Sequence, residues 1–164
     1  MAFVSWTIGS NPKPSTLLVI GNKVPRTGAG NIGKMNIVEV SPGGPETYQK
    51  KAVDIPFNDA GDFPVAIRVS ERYGLIHLLS KFNNIFVYEL ESMTPVYHSA
   101  IKLSAPAQLV AALDQIGSYT VFTQDFNLVT ISVNVMNIVP FMVHNGKHDF
   151  DLKFATRYAL PESE

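Results

Sequence analysis

Along residues 1–133 the apolar positions come in short runs that either alternate with polar residues or are apolar throughout. Each run is bounded by glycine, proline, asparagine, aspartate or serine. Alternation with a period of two marks a strand with one buried face, and a short unbroken apolar run between turn residues marks a strand buried on both. The pattern predicts strands over FVSWTI (3–8), TLLVIG (16–21), KMNIVEV (34–40), KKAVDI (50–55), FPVAIRVS (63–70), GLIHLLS (74–80), IFVYEL (85–90), PVYHSAI (95–101), AQLVAAL (107–113), SYTVFTQ (118–124) and NLVTISV (127–133). These fall into groups of four, four and three.

The groups repeat. Sliding the chain by 43 positions lays Gly74 on Gly117, Leu78 and Leu79 on Val121 and Phe122, Ser80 on Thr123, Asn84 on Asn127, and Ile85 and Phe86 on Leu128 and Val129. Third strands of successive groups begin near 35, 85 and 128. Periods of about 40–50 residues with four strands each are what propeller blades produce. The expected fold is therefore all-β, a partial WD40-like β-propeller of about three four-stranded antiparallel blades (near 1–55, 63–101 and 107–133), the last one strand short. NKVPRTGAGNIG (22–33), rich in glycine, reads as a long surface loop. After residue 133 the period changes: Phe150, Phe154 and Tyr158 recur every four residues, with Asp149 or Asp151 as cap and Pro161 as stop. Residues 134–164 are expected to form short C-terminal helices.

A chain of 164 residues, 46% hydrophobic, has the means to bury one core. Its net charge of −1 and scattered basic residues give no footprint for nucleic acid or an anionic membrane. No apolar run approaches the roughly 20 residues that span a bilayer, and MAFVSWTIGS does not read as a signal peptide, so a cytosolic chain is expected. The absence of cysteine excludes disulfides, thiolate nucleophiles and cysteine-ligated zinc. Gly28, Gly30 and Gly33 spell G-x-G-x-x-G with Asp54 about 20 positions on, the dinucleotide fingerprint. That chemistry needs a helix after the third glycine, whereas KMNIVEV reads as a strand. His144 and His148, beside Asp149 and Asp151, have a metal-like spacing, but Gly146 between them reads as a turn. His77 and His98 read as strand residues, Trp6 as core, and Asp59 and Asp62 as a solvated turn between Pro56 and Pro64. No serine or threonine sits in a nucleophile motif, and neither a catalytic constellation nor a cofactor is expected.

KKAVDIPFNDAGDFPVAIRVSERYGLIHLLSKFNNIFVYELE (50–91) resembles the clathrin heavy chain family in both strand content and loop residues. The resemblance resumes at NLVTISVNVMNIVPFMV (127–143) and, more loosely, at DFDLKFATRYALPE (149–162). Asn83 and Asn84 stand where the family favours a glycine turn, 102–125 agrees mainly in pattern, and KHDFDL replaces a usual Asn-Pro-Asp-Leu. The resemblance implies the later part of the N-terminal propeller, the fifth to seventh blades, running into a helical linker. It implies a non-catalytic scaffold of the clathrin coat in the cytoplasm, at coated pits and vesicles. Its partners would be other clathrin chains and endocytic adaptors whose short linear motifs enter inter-blade grooves, without nucleic acid or membrane insertion. By position, Ile20, Val38, Lys50 and Lys51 would line one wall of the groove between the fourth and fifth blades, which takes an Ile/Leu-rich motif. Ordinary blade packing is the alternative for Ile20 and Val38. An open arc of blades also leaves apolar faces uncovered, from which self-association is expected. Two other readings remain open here: an unrelated propeller hub, and a nucleotide-binding enzyme using the loop from Gly28 to Gly33.

Overall fold

The computed structural model describes residues 1–26, 30–102, 107–113, 118–123 and 128–132, with the single positions 140, 143, 144, 146 and 156. Eleven strands are formed by these residues: β1 (Ala2–Trp6), β2 (Ser15–Arg26), β3 (Gly30–Ser41), β4 (Lys51–Ile55), β5 (Pro64–Ser70), β6 (Leu75–Ser80), β7 (Asn84–Glu89), β8 (Pro95–Ala100), β9 (Ala107–Leu113), β10 (Ser118–Thr123) and β11 (Leu128–Ser132). They build three sheets in which neighbours in sequence are neighbours in space, β1-β2-β3-β4, β5-β6-β7-β8 and β9-β10-β11. Every pairing between them is antiparallel. The 43-residue offset seen in the sequence carries β5 onto β9 and β6 onto β10 residue for residue. It also reproduces the register, since Leu78 faces Phe86 across β6 and β7 as Val121 faces Val129 across β10 and β11.

The glycine-rich stretch 22–33 departs from the sequence expectation. It is not a long loop: β2 continues to Arg26 and β3 begins at Gly30, with Asn22 opposite Lys34, Val24 opposite Ile32 and Arg26 opposite Gly30. Strand pairing extends the hairpin through residues whose composition suggests a loop, because each added pair closes backbone hydrogen bonds at little further cost in loop entropy. Gly33 has a specific reason to lack a side chain, since a Cβ there would run into the Phe57 ring and Ile55. Of the helical segment expected over 134–164, only the five single positions are described, and the expectation otherwise lies outside the described residues. Among the described residues no helix is long and apolar enough to cross a membrane.

The second sheet is the middle layer. Ile76, Leu78, Phe86 and Tyr88 on one of its faces join Val4, Trp6, Leu17, Val19, Met35, Ile37 and Ile55 of the first sheet in one apolar cluster. On the opposite face Leu75, Ile85 and Val87 pack with Ile131, and Leu79 packs with Val129 and Ile131 of the third sheet. Burial on both faces is why LIHLLS shows no alternation: every position of β6 is inside.

Turns between the strands use local chemistry. Asn83, closing the hairpin between β6 and β7, has a φ of 61°, and its amide donates to the Ser80 carbonyl at 3.1 Å. Asparagine is the non-glycine residue that tolerates this left-handed conformation best, which explains how it closes a turn of the kind glycine usually makes. Asn83→Gly is expected to leave the urea midpoint nearly unchanged. Asn83→Val, branched at Cβ, should cost about 1–2 kcal/mol by the same measurement.

Candidate peptide-binding surfaces

Strand alternation gives the first sheet two unlike faces. Leu17, Val19, Met35 and Ile37 point at the second sheet and are fully buried. The intervening positions point the other way: Phe3 pairs with Leu18 and Leu18 with Val38, forming a row across three strands, with Ile20 one step along β2 opposite Asn36. Phe3 is 63% exposed and Val40 52%, while Leu18, Ile20 and Val38 are half-buried. Ile20 and Val38 thus belong to an apolar face that no other described element covers.

Lys50 is exposed and immediately precedes β4. Lys51, the first residue of β4, is opposite Ile37, whose side chain belongs to the face turned toward the second sheet. Its Nζ lies 5.4 Å from the centroid of the Tyr48 ring. It lines a cleft of about 300 Å³ with Trp6, Tyr48, Gln49 and Glu91, the last from the turn between β7 and β8. The structure therefore brings Ile20 and Val38 together and places Lys51 in a different depression. In that cleft the Tyr48 hydroxyl donates to the Leu90 carbonyl at 2.7 Å. Burial first, then the carboxylates Glu89 and Glu91, push its pKa well above the ordinary phenol value.

Gly30 and Gly33 lie inside β3, so a strand stands where a dinucleotide cradle requires a helix N-terminus. This removes the structural basis of the nucleotide reading. His148, Asp149 and Asp151 lie outside the described residues, and His144 is exposed. Among the described residues no group of three or more His, Asp or Glu side chains is placed to hold a metal ion.

The acids of FNDAGDFP divide. Asp59 holds an exposed turn, its Oδ1 accepting the Gly61 amide at 2.6 Å. Asp62, expected to be solvated, is 1% exposed. Its Oδ2 accepts from Ser80 Oγ at 2.7 Å and Asn84 Nδ2 at 2.9 Å, and its Oδ1 accepts from the amides of Phe63 and Phe82, each at 3.0 Å. A buried carboxylate that takes four hydrogen bonds from its own fold acts as a structural brace.

No family model matches the chain. Individual proteins do. The chain is 30% identical over 167 residues to probable clathrin heavy chain 1 of Caenorhabditis elegans, 32% over 169 residues to clathrin heavy chain 2 of Oryza sativa subsp. japonica, and 28% over 176 residues to clathrin heavy chain 2 of Homo sapiens. Each alignment covers 99% of this chain and 10% of the relative. Its relatives are clathrin heavy chains. The likeness read from 50–91 and 127–143 thus extends along nearly the whole sequence, including the stretch 102–125 that agrees mainly in pattern. The chain spans about a tenth of the length of the clathrin heavy chains that it matches.

Proposed function

We propose that the three sheets are successive blades of a β-propeller occupying 1–133, with 134–164 leading out of it as a helical linker. The protein is a non-catalytic part of a clathrin coat, working at coated pits and vesicles on the cytoplasmic side of the membrane. There it presents inter-blade surfaces to short linear motifs of adaptor proteins in vesicle transport. The observation that carries this reading is the uncovered apolar row on the first sheet, Phe3, Leu18 and Val38 with Ile20 beside it, in a chain whose relatives are clathrin heavy chains. An extended Ile/Leu-rich segment suits such a wall, because alternate side chains of the segment meet apolar positions spaced along the strands. Lys50 supplies positive charge at the end of the sheet and draws acids that flank the motif. The same face accounts for self-association of the chain when nothing else covers it.

The test is a calorimetric or NMR titration of an acid-flanked Ile/Leu-rich peptide into the chain and two variants. One wall of a groove should give a dissociation constant on the order of 1 mM. Lys50→Glu should weaken binding and flatten its salt dependence, and Val38→Asp, which puts a charge into the apolar row, should abolish it. Three coincident titrations would remove the assignment of this wall.

A further inference from the structure

The strands of the first hairpin outrun their neighbours. β2 and β3 are each 12 residues long, whereas the other described strands have five to seven. Gly21 is level with the start of β5, since a Cβ there would lie 3.2 Å from the Pro64 side chain, so the end of the hairpin overhangs the second sheet. Lys23 is on the side of β2 that carries Leu17 and Val19, but beyond the apolar core. Its Nζ lies 5.6 Å from the centroid of the Phe63 ring, just before β5. Lys81, in the hairpin between β6 and β7, brings its own Nζ to 5.4 Å from the same ring and to 5.4 Å from the Phe82 ring.

Two ammonium groups gathered on one ring repel each other, and only the ring's own attraction for each cation opposes this. Neither lysine forms an ion pair with a described carboxylate. Asp62, beside Phe63 in the chain, is buried and committed to its four hydrogen bonds. The corner is held in place by the backbone: the Lys81 amide donates to the Phe63 carbonyl at 2.9 Å and the Phe82 amide to Asp62 at 3.0 Å. Both lysines are exposed, and the Phe82 ring next to them is an exposed apolar surface at 45%. Positive charge and an apolar ring therefore share one preformed corner between two hairpins.

We propose that this corner docks an acidic segment of a partner protein. Carboxylates of the segment meet the Lys23 and Lys81 ammonium groups across Phe63, and an apolar side chain between them packs on Phe82. Charge complementarity favours a segment over an anionic membrane. Membrane-binding patches gather about 4–8 Lys or Arg residues, whereas these two lysines have the exposed Asp59 close by. A Cβ at Gly61 would lie 3.1 Å from Asp59 Oδ1 and 3.4 Å from the Phe82 ring, which places that carboxylate beside the apolar surface. A segment can set its acids on the lysines and turn away from Asp59; a continuous anionic surface cannot. Because Lys23 is on the side of the first sheet opposite to Ile20 and Val38, the corner is separate from that wall.

Two nine-residue probes of glycine and serine, one with Asp-Leu-Asp at its centre and the other with Asn-Leu-Asn, are titrated into the ¹⁵N-labelled chain. The acidic probe should shift the amides of Lys23, Phe63, Lys81 and Phe82 and bind at least about 3-fold more tightly than the neutral one, a preference that fades as salt is added. Lys23→Glu and Lys81→Glu should each weaken the acidic probe about 3- to 10-fold while leaving the urea midpoint nearly unchanged, because both side chains are exposed. Phe82→Ser should weaken both probes, since the leucine is common to them. Val38→Asp should leave these shifts unchanged, so this corner and the wall of Ile20 and Val38 are tested apart. Vesicles of phosphatidylserine and phosphatidylcholine should leave the same amides unperturbed. Equal binding of both probes, unchanged affinity in both lysine variants, or a response of these amides to the vesicles and not to the acidic probe would overturn the proposal.

Discussion

Lowering the pH from 6.5 to 4.5 is expected to cost the fold about 2–3 kcal/mol through His77 alone. The side chain is fully buried on β6, on the same face as Leu75 and Leu79, with Arg68 and Val87 as its cross-strand neighbours. Burial lowers its pKa from 6.5 to about 3, against a smaller opposing effect of a hydrogen bond with the Leu75 backbone. Between those values the unfolded chain binds a proton that the folded chain does not. Stability therefore rises with pH across this window, by up to about 1.4 kcal/mol per pH unit. The loss fades above pH 6.5 and grows as the pH falls toward 3. Carboxylates also titrate at the lower end, so the decisive quantity is the difference between the wild type and His77→Leu in urea denaturation at several pH values. His77→Leu should flatten the slope between pH 4.5 and 6.5. Parallel slopes would mean that the imidazole is protonated inside the fold.

The arrangement of strands was legible because period-two alternation and burial on both faces leave different imprints on sequence. LIHLLS lies in the sheet that is covered twice, as an apolar run without alternation implies, whereas TLLVIG, equally unbroken, has only one covered face, with Leu18 and Ile20 turned away from it. The hairpin over 22–33 was not legible: glycine and proline in Val24–Pro25 and Gly30–Gly33 argue for a loop, and only the cross-strand partners decide otherwise. Lys50 and Lys51 look equivalent as neighbours in sequence, although alternation alone sends successive residues of a strand to opposite faces. A groove of about 260 Å³ between β4 and the second sheet could not be read at all. Val53, Phe86 and Tyr88 are ordinary strand residues in sequence, and they form a lining only once two sheets are laid together. Asp62 was misread for a similar reason, since its partners Ser80 and Asn84 stand 18 and 22 residues further along.

That carboxylate carries the second large effect. Asp62→Ala is expected to destabilise the protein by about 2–4 kcal/mol, because it removes the partner of the part-buried amides of Phe63 and Phe82 and of the Asn84 side chain and strands the fully buried Ser80 hydroxyl. Asp62→Asn separates hydrogen bonding from charge. Its carbonyl oxygen can still accept from the two amides, and Asn84 can turn its own carbonyl toward the new NH2 group. Ser80 adapts less freely, since its Oγ already accepts the Asn84 amide at 3.1 Å. The loss should then be about 1–2 kcal/mol. A double-mutant cycle with Asn84→Ala supplies the control: groups joined in one network should show a coupling of at least about 0.5–1 kcal/mol. Because Asp62 ties the segment entering β5 to the hairpin between β6 and β7, its removal should also speed hydrogen exchange at Phe82 and Asn84 before the sheet itself opens. Additive losses in the cycle, with unchanged exchange at those amides, would mean that each hydrogen bond is made separately and that Asp62 does not hold the second sheet to the turn before it.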